Sequence, residues 1–338
     1  MADDDGDGFP VPGGRVKPGT RSDFRYTVSE TYLGDPVRIP VTVLNGSRTG
    51  PTGVLTAASH GDELNGIEVV RRVAQTWEPE AIGGTIVCLP VLNVPGFLAQ
   101  QRYLPILDRD LNRSFPGSET GTSADRMASR IYSNFIEPSD FVLDFHTSTR
   151  GRNNMLHVRA DMDIPTVERL ARAFASHLII DSDGTSGTLR RSATDDGIPA
   201  IVIEMGEAHR FESALIDSAV EGIESVLAEF GMLTTETVRW PGWRTIISDE
   251  HSKTWIRADA GGLVDMHYQR GSLVYEDEPI CTITNPFMTE TEVIRAPFTG
   301  LLVGVLENPV VYPGNPLCHL VELDPTVRTV IEASPGPV

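Results

Sequence analysis

The sequence predicts an α/β domain with a mostly parallel, mixed sheet flanked by helices, followed by a small all-β domain. Up to about residue 230, apolar runs typical of buried strands alternate with segments whose apolar residues recur at helical spacing. Such alternation favours a parallel sheet. From about Trp240 the helical spacing ends, and short β-rich runs alternate with Gly and Pro turns through to Leu323. We therefore expect an acidic, disordered tail over residues 1–22, an α/β domain over 23–240 and an all-β domain over 241–330.

The elements of the α/β domain follow from apolar spacing and turn signals. Residues 37–44 alternate like a half-buried strand, and Asn45-Gly46 marks the turn after it. Continuous apolar runs predict buried strands at residues 54–58, 85–91, 140–145 and 200–203. Helical spacing predicts helices at residues 64–74, 124–135, 164–177 and 211–230. The segment 93–121 is rich in Pro, Gly and Asp, so we expect a long loop with a functional role.

Residues with metal-binding or acid–base side chains stand just past these predicted strands. His60 and Glu63 lie on the turn after strand 54–58, His146 follows the third buried strand, and Glu204 follows the fourth. Ligands bind at the carboxyl ends of the strands in such sheets, so we expect these side chains to meet. Zinc accepts imidazole nitrogen and carboxylate oxygen, commonly from two His and one carboxylate. A His-x-x-Glu pair alone is a weak indication of metal binding, and His146 is the candidate for the third ligand.

The composition argues against several classes of partner. The 338 residues include 47 Asp and Glu against 28 Lys and Arg, and the formal net charge is −19, so we expect no nucleic-acid partner. No apolar run approaches the length of a transmembrane helix, and the first residues lack the regions of a secretory signal. Cys88, Cys281 and Cys318 have no metal-type spacing and fit reduced thiols. We expect a cytoplasmic protein with no membrane partner that forms a homo-oligomer.

The long loop contains the candidate substrate-binding residues. Asp110-Leu111-Asn112-Arg113 can be interpreted as a solvated surface loop. Alternatively, Arg113 can hold a substrate carboxylate through two parallel hydrogen bonds, with Asn112 assisting. Arg102 and Arg109 lie in the same loop, and either could donate to a developing oxyanion.

Glu204 is the candidate general base. A carboxylate at the end of an apolar strand is expected to be partly removed from water, which favours proton transfer. A structural ion pair explains the same position equally well. Glu207, in a predicted loop, is the weaker alternative for the base. Asp144, two residues before His146 on the same side of its strand, could orient an imidazole.

Four ordered motifs resemble the succinylglutamate desuccinylase/aspartoacylase family, a branch of the zinc-carboxypeptidase-like fold. They are Ser59–Gly66 (SHGDELNG), Asp110–Gly117 (DLNRSFPG), Asp144–Thr147 (DFHT) and Ile203–Gly206 (IEMG). The β-rich segment is similar to the barrel-sandwich C-terminal domain of these deacylases, through Ala260–Leu263 and Ala296–Gly300. Asp62 and Leu64 resemble the less characterised "predicted deacylase" branch more than aspartoacylase proper.

The resemblance implies one zinc ion per chain. The implied zinc ligands are His60, Glu63 and His146. It further implies that Glu204 is the general base and acid, and that Asn112 and Arg113 hold a substrate carboxylate. Arg102 resembles the family arginine that polarises the scissile carbonyl, with Arg109 as the alternative.

The sequence therefore predicts a zinc-dependent amidohydrolase that removes the acyl group from a small N-acylated amino acid or related amide. Acylated diaminobutyrate is one candidate among such small-molecule substrates. A zinc carboxypeptidase that acts on peptide C-termini is the nearest alternative, because it shares the fold and the metal residues. The alternative from another class is a non-catalytic binding protein on the same fold. Loss of Glu204 or of a metal ligand would favour that reading, and all of them are present.

Overall fold

A mixed α/β fold with one large sheet is seen in the computed structural model, which describes residues 8–105, 107–234 and 236–333. The strands are β1 (Phe9–Val11), β2 (Gly14–Val16), β3 (Thr20–Glu30), β4 (Pro36–Asn45), β5 (Arg48–Ala57), β6 (Gly83–Leu89), β7 (Phe141–Ser148), β8 (Arg152–Ala160), β9 (Leu178–Asp181), β10 (Ala200–Glu207), β11 (Thr245–Ile247), β12 (Lys253–Arg257), β13 (Gly262–Met266), β14 (Leu273–Val274), β15 (Pro279–Thr284), β16 (Thr291–Arg295), β17 (Gly300–Leu306), β18 (Val310–Val311) and β19 (Pro316–Glu322). The α-helices are α1 (Asn65–Thr76), α2 (Val94–Ala99), α3 (Ser123–Ile131), α4 (Pro165–Ala173), α5 (Leu189–Asp195), α6 (Ser213–Glu229) and α7 (Pro325–Ala333). None of the helices in these ranges is long and apolar enough to span a bilayer.

The large sheet is parallel at its centre and has an antiparallel pair on each side of that centre, and beyond it β8, β9 and β11 run parallel to one another. Strands β6, β5, β7 and β10 lie side by side and run parallel. Strand β4 joins β6, and β8 joins β10, in antiparallel pairs. The four central strands correspond to the four apolar runs of the sequence. The sheet is therefore mixed, as predicted, and the expected parallel strands form its centre.

Helices cover both faces of the parallel centre, which explains why its strands are apolar throughout. Helices α1, α4 and α6 pack on one face, and α3 and α5 pack on the other. Val142 of β7 and Ala200 of β10 belong to the second face. Because side chains alternate along a strand, His146 and Glu204 also point to the face of α3 and α5.

Several elements were not predicted from the sequence. Strand β8 is rich in polar residues, and the short elements β9 and α5 lie in segments without clear periodicity. The expected loop 93–121 contains α2, whose first turn is capped because the side chain of Asn93 accepts a hydrogen bond from the Gly96 N–H at 2.8 Å. Strand β8 matters most, because it forms one side of the site.

The acidic tail is shorter than expected. Residues 8–22 form β1, β2 and the first part of β3, and Val16 is buried in the core that packs under α3. The prediction of disorder is therefore wrong for residues 8–22. Residues 1–7 of the predicted tail lie outside the described residues.

The β-rich C-terminal segment has its own core but shares the large sheet. Strands β13, β15, β16 and β18 form a separate four-stranded sheet, and an apolar cluster lies within this segment. Strands β12, β19 and β17 continue the large sheet, because β17 pairs with β8 from Gly304–Asn154 to Leu306–Arg152. Main-chain hydrogen bonds therefore join the segment to the α/β part. The domain boundary near residue 240 stays a prediction.

Candidate active site

The strand ends bring the predicted metal ligands together. Strands β5 and β7 are parallel neighbours, and Ala57 pairs with Phe145 in their register, so the turn after β5 faces the end of β7. Donor atoms of His60, Glu63 and His146 lie within 4.8 Å of one another, and all three residues are buried. These three residues form the ligand cluster.

A close backbone contact fixes the turn that carries His60 and Glu63. A Cβ atom on Gly61 would lie 2.0 Å from the carbonyl carbon of Gly96 in α2, so this position requires glycine. The Gly61 N–H also donates to the carbonyl of Arg102 at 3.2 Å. The segment around α2 therefore holds the turn in place.

The two imidazoles of the ligand cluster are oriented in the same way. Nδ1 of His60 lies 2.7 Å from Oε1 of Glu63, and Nδ1 of His146 lies 2.9 Å from Oε2. The opposite nitrogen, Nε2, faces another carboxylate in each case. Asp110 lies 3.1 Å from Nε2 of His60, and Asp144 lies 2.9 Å from Nε2 of His146. A carboxylate behind a ring fixes its orientation and leaves the other nitrogen for a metal.

Opposite charges stabilise the ligand cluster in spite of its burial. Burial disfavours the charged carboxylate of Glu63, but the charges and hydrogen bonds of His60 and His146 outweigh it and hold the pKa far below its usual value. Burial also disfavours the charged imidazoles. Asp144 and Glu63 nevertheless raise the pKa of His146 well above its usual value, and Glu63 with Asp110 raises the pKa of His60. The negative charge of Glu63 therefore attracts positive charge to one point, and a cation bound there would displace the imidazole protons.

Hydrogen bonds from outside the cluster hold its carboxylates. The backbone N–H of Thr147 donates to Oε2 of Glu63 at 3.0 Å. The hydroxyl of Thr56 donates to Oδ1 of Asp144 at 2.7 Å. Asp144 thus stands where the sequence analysis placed it, with one oxygen on Thr56 and the other on His146.

The two candidate oxyanion arginines occupy different environments. Nη1 of Arg102 donates to Oε1 of Glu63 at 2.8 Å, and its side chain is 27% exposed. Arg109 is exposed and lines a neighbouring cavity of about 550 Å³ together with Tyr103 and Arg113. Arg102 is therefore the arginine that touches the ligand cluster.

Arg113 lines the same cavity, and its neighbour Asn112 lies at the ligand cluster. Nδ2 of Asn112 lies 3.3 Å from Nε2 of His146, and Oδ1 of Asn112 accepts from the Leu189 N–H at 2.9 Å. Arg113 donates from Nη1 to the carbonyl of Asn112 at 2.6 Å, and its side chain is exposed. Asn112 is thus held in place by α5, whereas the fork of Arg113 is open to a ligand.

Glu204 lies beside the ligand cluster on the neighbouring strand. It pairs with His146 in the parallel register of β10 and β7, so the two side chains share one face of the sheet. Its side chain is 19% exposed, with Nδ2 of Asn154 at 3.3 Å from Oε2 and Nε of Arg159 at 3.8 Å from Oε1. These contacts are loose, and the side chain is partly accessible to solvent.

Glu207, the weaker alternative for the base, is tied to other residues. The register of β10 shifts between Glu204 and Glu207. Oε1 of Glu207 accepts from the Gly151 N–H at 2.8 Å, and Oε2 lies 2.8 Å from Nε of Arg210. Glu207 therefore holds the β7–β8 turn rather than facing the ligand cluster.

The sequence analysis did not single out Asp110, which contacts His60, or Arg159, which approaches Glu204. Asp110 was named only as part of the loop motif, although its place before Asn112 was a usable signal. Arg159 had no signal, because β8 was not predicted.

A comparison with protein families agrees with this geometry. The model of the succinylglutamate desuccinylase/aspartoacylase catalytic domain matches residues 49–230, which is more than half of the chain. The match includes β5, β7 and β10, the strands that carry the ligand cluster and Glu204.

Similar proteins include a named deacetylase, and two solved structures share the fold. N-alpha-acetyl-L-2,4-diaminobutyric acid deacetylase from Halomonas elongata is 25% identical over 279 residues, which cover 80% of each chain. The product-bound ectoine utilization protein EutE (DoeB) from Ruegeria pomeroyi superimposes with a TM-score of 0.78 at 22% identity, covering 91% of this chain and 98% of that one. A succinylglutamate desuccinylase from Silicibacter sp. has a TM-score of 0.79 at 22% identity, covering 90% and 95%. The two structures establish the fold that this chain shares with them.

Proposed function

The chain belongs to the succinylglutamate desuccinylase/aspartoacylase family, and on this basis we propose that it is a zinc-dependent deacylase. Its reaction would hydrolyse the amide bond of a small N-acylated amino acid. The ligand cluster is the observation that carries the proposal. Two imidazoles and one carboxylate converge at the carboxyl ends of parallel strands, where a catalytic metal site is expected.

The donor set of the ligand cluster fits one zinc ion. Two His and one Glu are a common ligand set of catalytic zinc, and this set leaves a position open. Asp110 and Asp144 stand behind the two rings, so each ring presents its Nδ1 atom toward Glu63. When bound, zinc supplies Lewis-acid chemistry that activates water and polarises a carbonyl.

Glu204 is proposed to move the proton. It accepts a proton from the attacking water as the water oxygen bonds to the amide carbonyl carbon. It then delivers that proton to the leaving nitrogen as the C–N bond breaks, which yields a carboxylic acid and a free amine. Its placement beside His146 and its partial exposure to solvent support this role.

Arginines of the long loop are proposed to bind the rest of the substrate. Arg102 stands against Glu63 and stabilises the oxygen of the tetrahedral intermediate through its remaining N–H donors. Arg113 holds the substrate α-carboxylate with its planar fork, and Asn112 supplies an amide donor from a fixed position.

A panel of N-acyl amino acids tests the proposal on the zinc-loaded full chain. N-acetyl-L-2,4-diaminobutyrate, the compound named for the Halomonas elongata relative, is one of its members. We expect release of free amino acid from at least one member. Amidation of the α-carboxylate should lower kcat/KM, because Arg113 then loses its partner.

Two results would contradict the proposal. Removal of C-terminal residues from peptides without deacylation would favour a carboxypeptidase. Saturable binding of N-acyl amino acids without turnover at full zinc occupancy would favour a non-catalytic binding protein.

A further inference from the structure

Glu212, the residue just before α6, has a carboxylate that contacts two separate parts of the molecule. Oε1 of Glu212 accepts a hydrogen bond from the Glu207 N–H at 3.0 Å. Nη1 of Arg270, in the loop between β13 and β14, lies 2.7 Å from Oε2 of Glu212. The side chains of Glu212 and Arg270 are 19% and 24% exposed, so most of this ion pair is removed from water. One carboxylate therefore joins β10 to the C-terminal segment.

The part of β10 that Glu212 contacts is an irregular stretch directly after Glu204. In the parallel register, the three-residue step from Glu204 to Glu207 matches a step of two residues on β7, so β10 bulges there. Gly206 lies in this bulge with a φ of +74°, and a Cβ atom on it would lie 2.2 Å from Oε1 of Glu212. A β-bulge re-aims the side chains next to it. The shape of this bulge therefore determines where the carboxylate of Glu204 points.

Asn65, the first residue of α1, holds the same bulge and also holds Glu212. Its side chain is fully buried, and Nδ2 donates to the carbonyl of Met205 at 3.1 Å. Oδ1 of Asn65 accepts from the Glu212 N–H at 2.9 Å. Asn65 and Gly206 belong to two of the four sequence motifs, and neither has a role in the site described above. The Glu212 network consists of Asn65, Gly206, Glu212 and Arg270.

The loop that carries Arg270 is held against β17 by main-chain hydrogen bonds. The Gly271 N–H donates to the Leu302 carbonyl at 2.7 Å, and the Leu302 N–H donates to the Ser272 carbonyl at 2.9 Å. Strand β17 pairs with β8, which pairs with β10. Because strand pairing already attaches the C-terminal segment, the contact between Arg270 and Glu212 is not needed for that attachment.

We propose that Arg270 and Glu212 are positioning residues for Glu204. The inference rests on the proposed deacylase function, in which Glu204 moves the proton. Arg270 fixes the carboxylate of Glu212, and Glu212 together with Asn65 fixes the bulge. The bulge then holds the carboxylate of Glu204 within reach of the attacking water. The C-terminal segment thus contributes to proton transfer through the shape of β10.

Arg270→Gln tests the proposal on the zinc-loaded full chain. Without the charge of Arg270, the carboxylate of Glu212 is less fixed and the bulge loosens. We expect kcat to fall by about 10- to 100-fold, the loss that follows when a catalytic group is misplaced by up to about 1 Å. KM and zinc content should stay near the wild-type values, because Arg270 contacts neither the ligand cluster nor the residues assigned to the substrate. Steady-state kinetics on a hydrolysed N-acyl amino acid and elemental analysis measure these quantities.

Conservative variants and a matched control separate positioning from a general loss of stability. Arg270→Lys should restore most of kcat, because lysine keeps the charge for a contact between one nitrogen and one oxygen. Glu212→Gln should match Arg270→Gln, and the double variant should lose no more than either single variant. Arg239→Gln is the control: it removes a 2.7 Å ion pair with Glu221 on the same helix and should keep kcat.

An ion pair that only holds the molecule together predicts a different pattern. Arg270→Gln and Arg239→Gln would then lower the melting temperature by similar amounts, and both would keep kcat wherever they are folded. That result would overturn the inference. Loss of zinc from Arg270→Gln would overturn it as well, since the effect would then act on the ligand cluster. If Arg270→Gln does not fold, Glu212→Gln replaces it in the same comparison.

The outcomes separate this inference from the proposed function. If the wild type hydrolyses N-acyl amino acids and Arg270→Gln keeps kcat, the inference fails and the deacylase proposal stands. If no N-acyl amino acid is hydrolysed, the deacylase proposal fails, and crystal structures of the wild type and Arg270→Gln test the positioning alone. A shift of the Glu204 carboxylate by more than about 0.5 Å, the tolerance of a catalytic geometry, supports the inference. An unmoved carboxylate contradicts it.

Discussion

The ligand cluster and the surface next to it are built in opposite ways. Its three residues are at most 4% exposed, and nitrogen–oxygen distances among them are 2.7–2.9 Å. The neighbouring wall is made of Asn154, Arg159 and Glu204 on β8 and β10. Arg159 and Glu204 are partly exposed, and Glu204 has contacts of 3.3 and 3.8 Å with the other two residues. A metal needs ligands held in advance by supporting hydrogen bonds, whereas a substrate needs unpaired groups that it can reach.

The same two regions differ in the charge of their histidines. Carboxylates outweigh burial in the ligand cluster and raise the pKa values of His60 and His146. Near the wall, burial and Arg159 lower the pKa values of His157 and His319. All four imidazoles are buried, and the two pairs differ in their neighbours, which are carboxylates in the ligand cluster and Arg159 near the wall.

Removal of one residue of the ligand cluster should have the largest effect on zinc binding and activity. His146→Ala should lose bound zinc and reduce activity to background, because two remaining donors hold zinc poorly. Elemental analysis and kcat/KM measure the two effects. His251→Ala, in the C-terminal segment, is the control and should keep both. Full zinc occupancy in His146→Ala would remove His146 from the ligand set.

Glu204→Gln tests whether the wall contains the general base. The expected loss is about 10²- to 10⁴-fold in kcat, the usual contribution of a positioned acid–base group. Zinc content and melting temperature should stay near the wild-type values, because Glu204 is loosely held. A structural ion pair with Arg159 predicts the reverse, a lower melting temperature with most of the activity kept.

Glu207→Gln is the matched control for that experiment. Glu207 is buried and anchors Gly151, so its loss should lower the melting temperature more than the activity. Near-normal turnover of Glu204→Gln together with an inactive, stable Glu207→Gln would exchange the roles of the two residues.

Asp144→Asn tests whether the carboxylate behind His146 contributes to zinc affinity. The amide keeps the shape of the carboxylate but not its charge behind His146, so zinc affinity should fall about 10- to 100-fold. Competition with a chelator measures this change. Asp140→Asn, just before β7 at its opposite end, should leave zinc affinity unchanged. Equal affinities in the two variants would show that Asp144 does not support the metal site.

The smallest expected effect is on stability, and it concerns a histidine near the wall that burial keeps neutral. Acid titration of the unfolding free energy tests it. The folded-state pKa of His319 is about 4, below its ordinary value of 6.5, so its stabilising contribution is complete above pH 6.5 and is lost as pH falls toward 4. Between pH 7.5 and 4.5, the free energy of unfolding should therefore fall by about 1–2 kcal/mol more in the wild type than in His319→Gln.

Urea unfolding at the two pH values measures this difference. His267→Gln, an exposed histidine of the C-terminal segment, is the control and should follow the wild type. A His319→Gln variant that loses as much stability as the wild type would mean that His319 is not held neutral by burial.

The sequence by itself determined which residues could meet. Apolar runs predicted β5, β7 and β10, and the shared edge of parallel strands brought His60, His146 and Glu204 into one expected site. The structure places His60 and His146 together with Glu63 in the ligand cluster, and it places Glu204 beside His146. These placements follow from local patterns, because strand periodicity and strand direction are encoded over a few residues. The catalytic roles stay predictions.

Only the tertiary structure decided what surrounds those residues. Asp110 lies 50 positions from His60, and the Arg102–Glu63 contact also joins distant segments. The pairing of β17 with β8 joins the C-terminal segment to the large sheet, and Arg159 reaches Glu204 through the register of β8. Such contacts depend on how distant segments pack, and no local spacing in the chain encodes them. The loops and the polar strand β8 therefore set the charge around the site, although the four central strands fix its position.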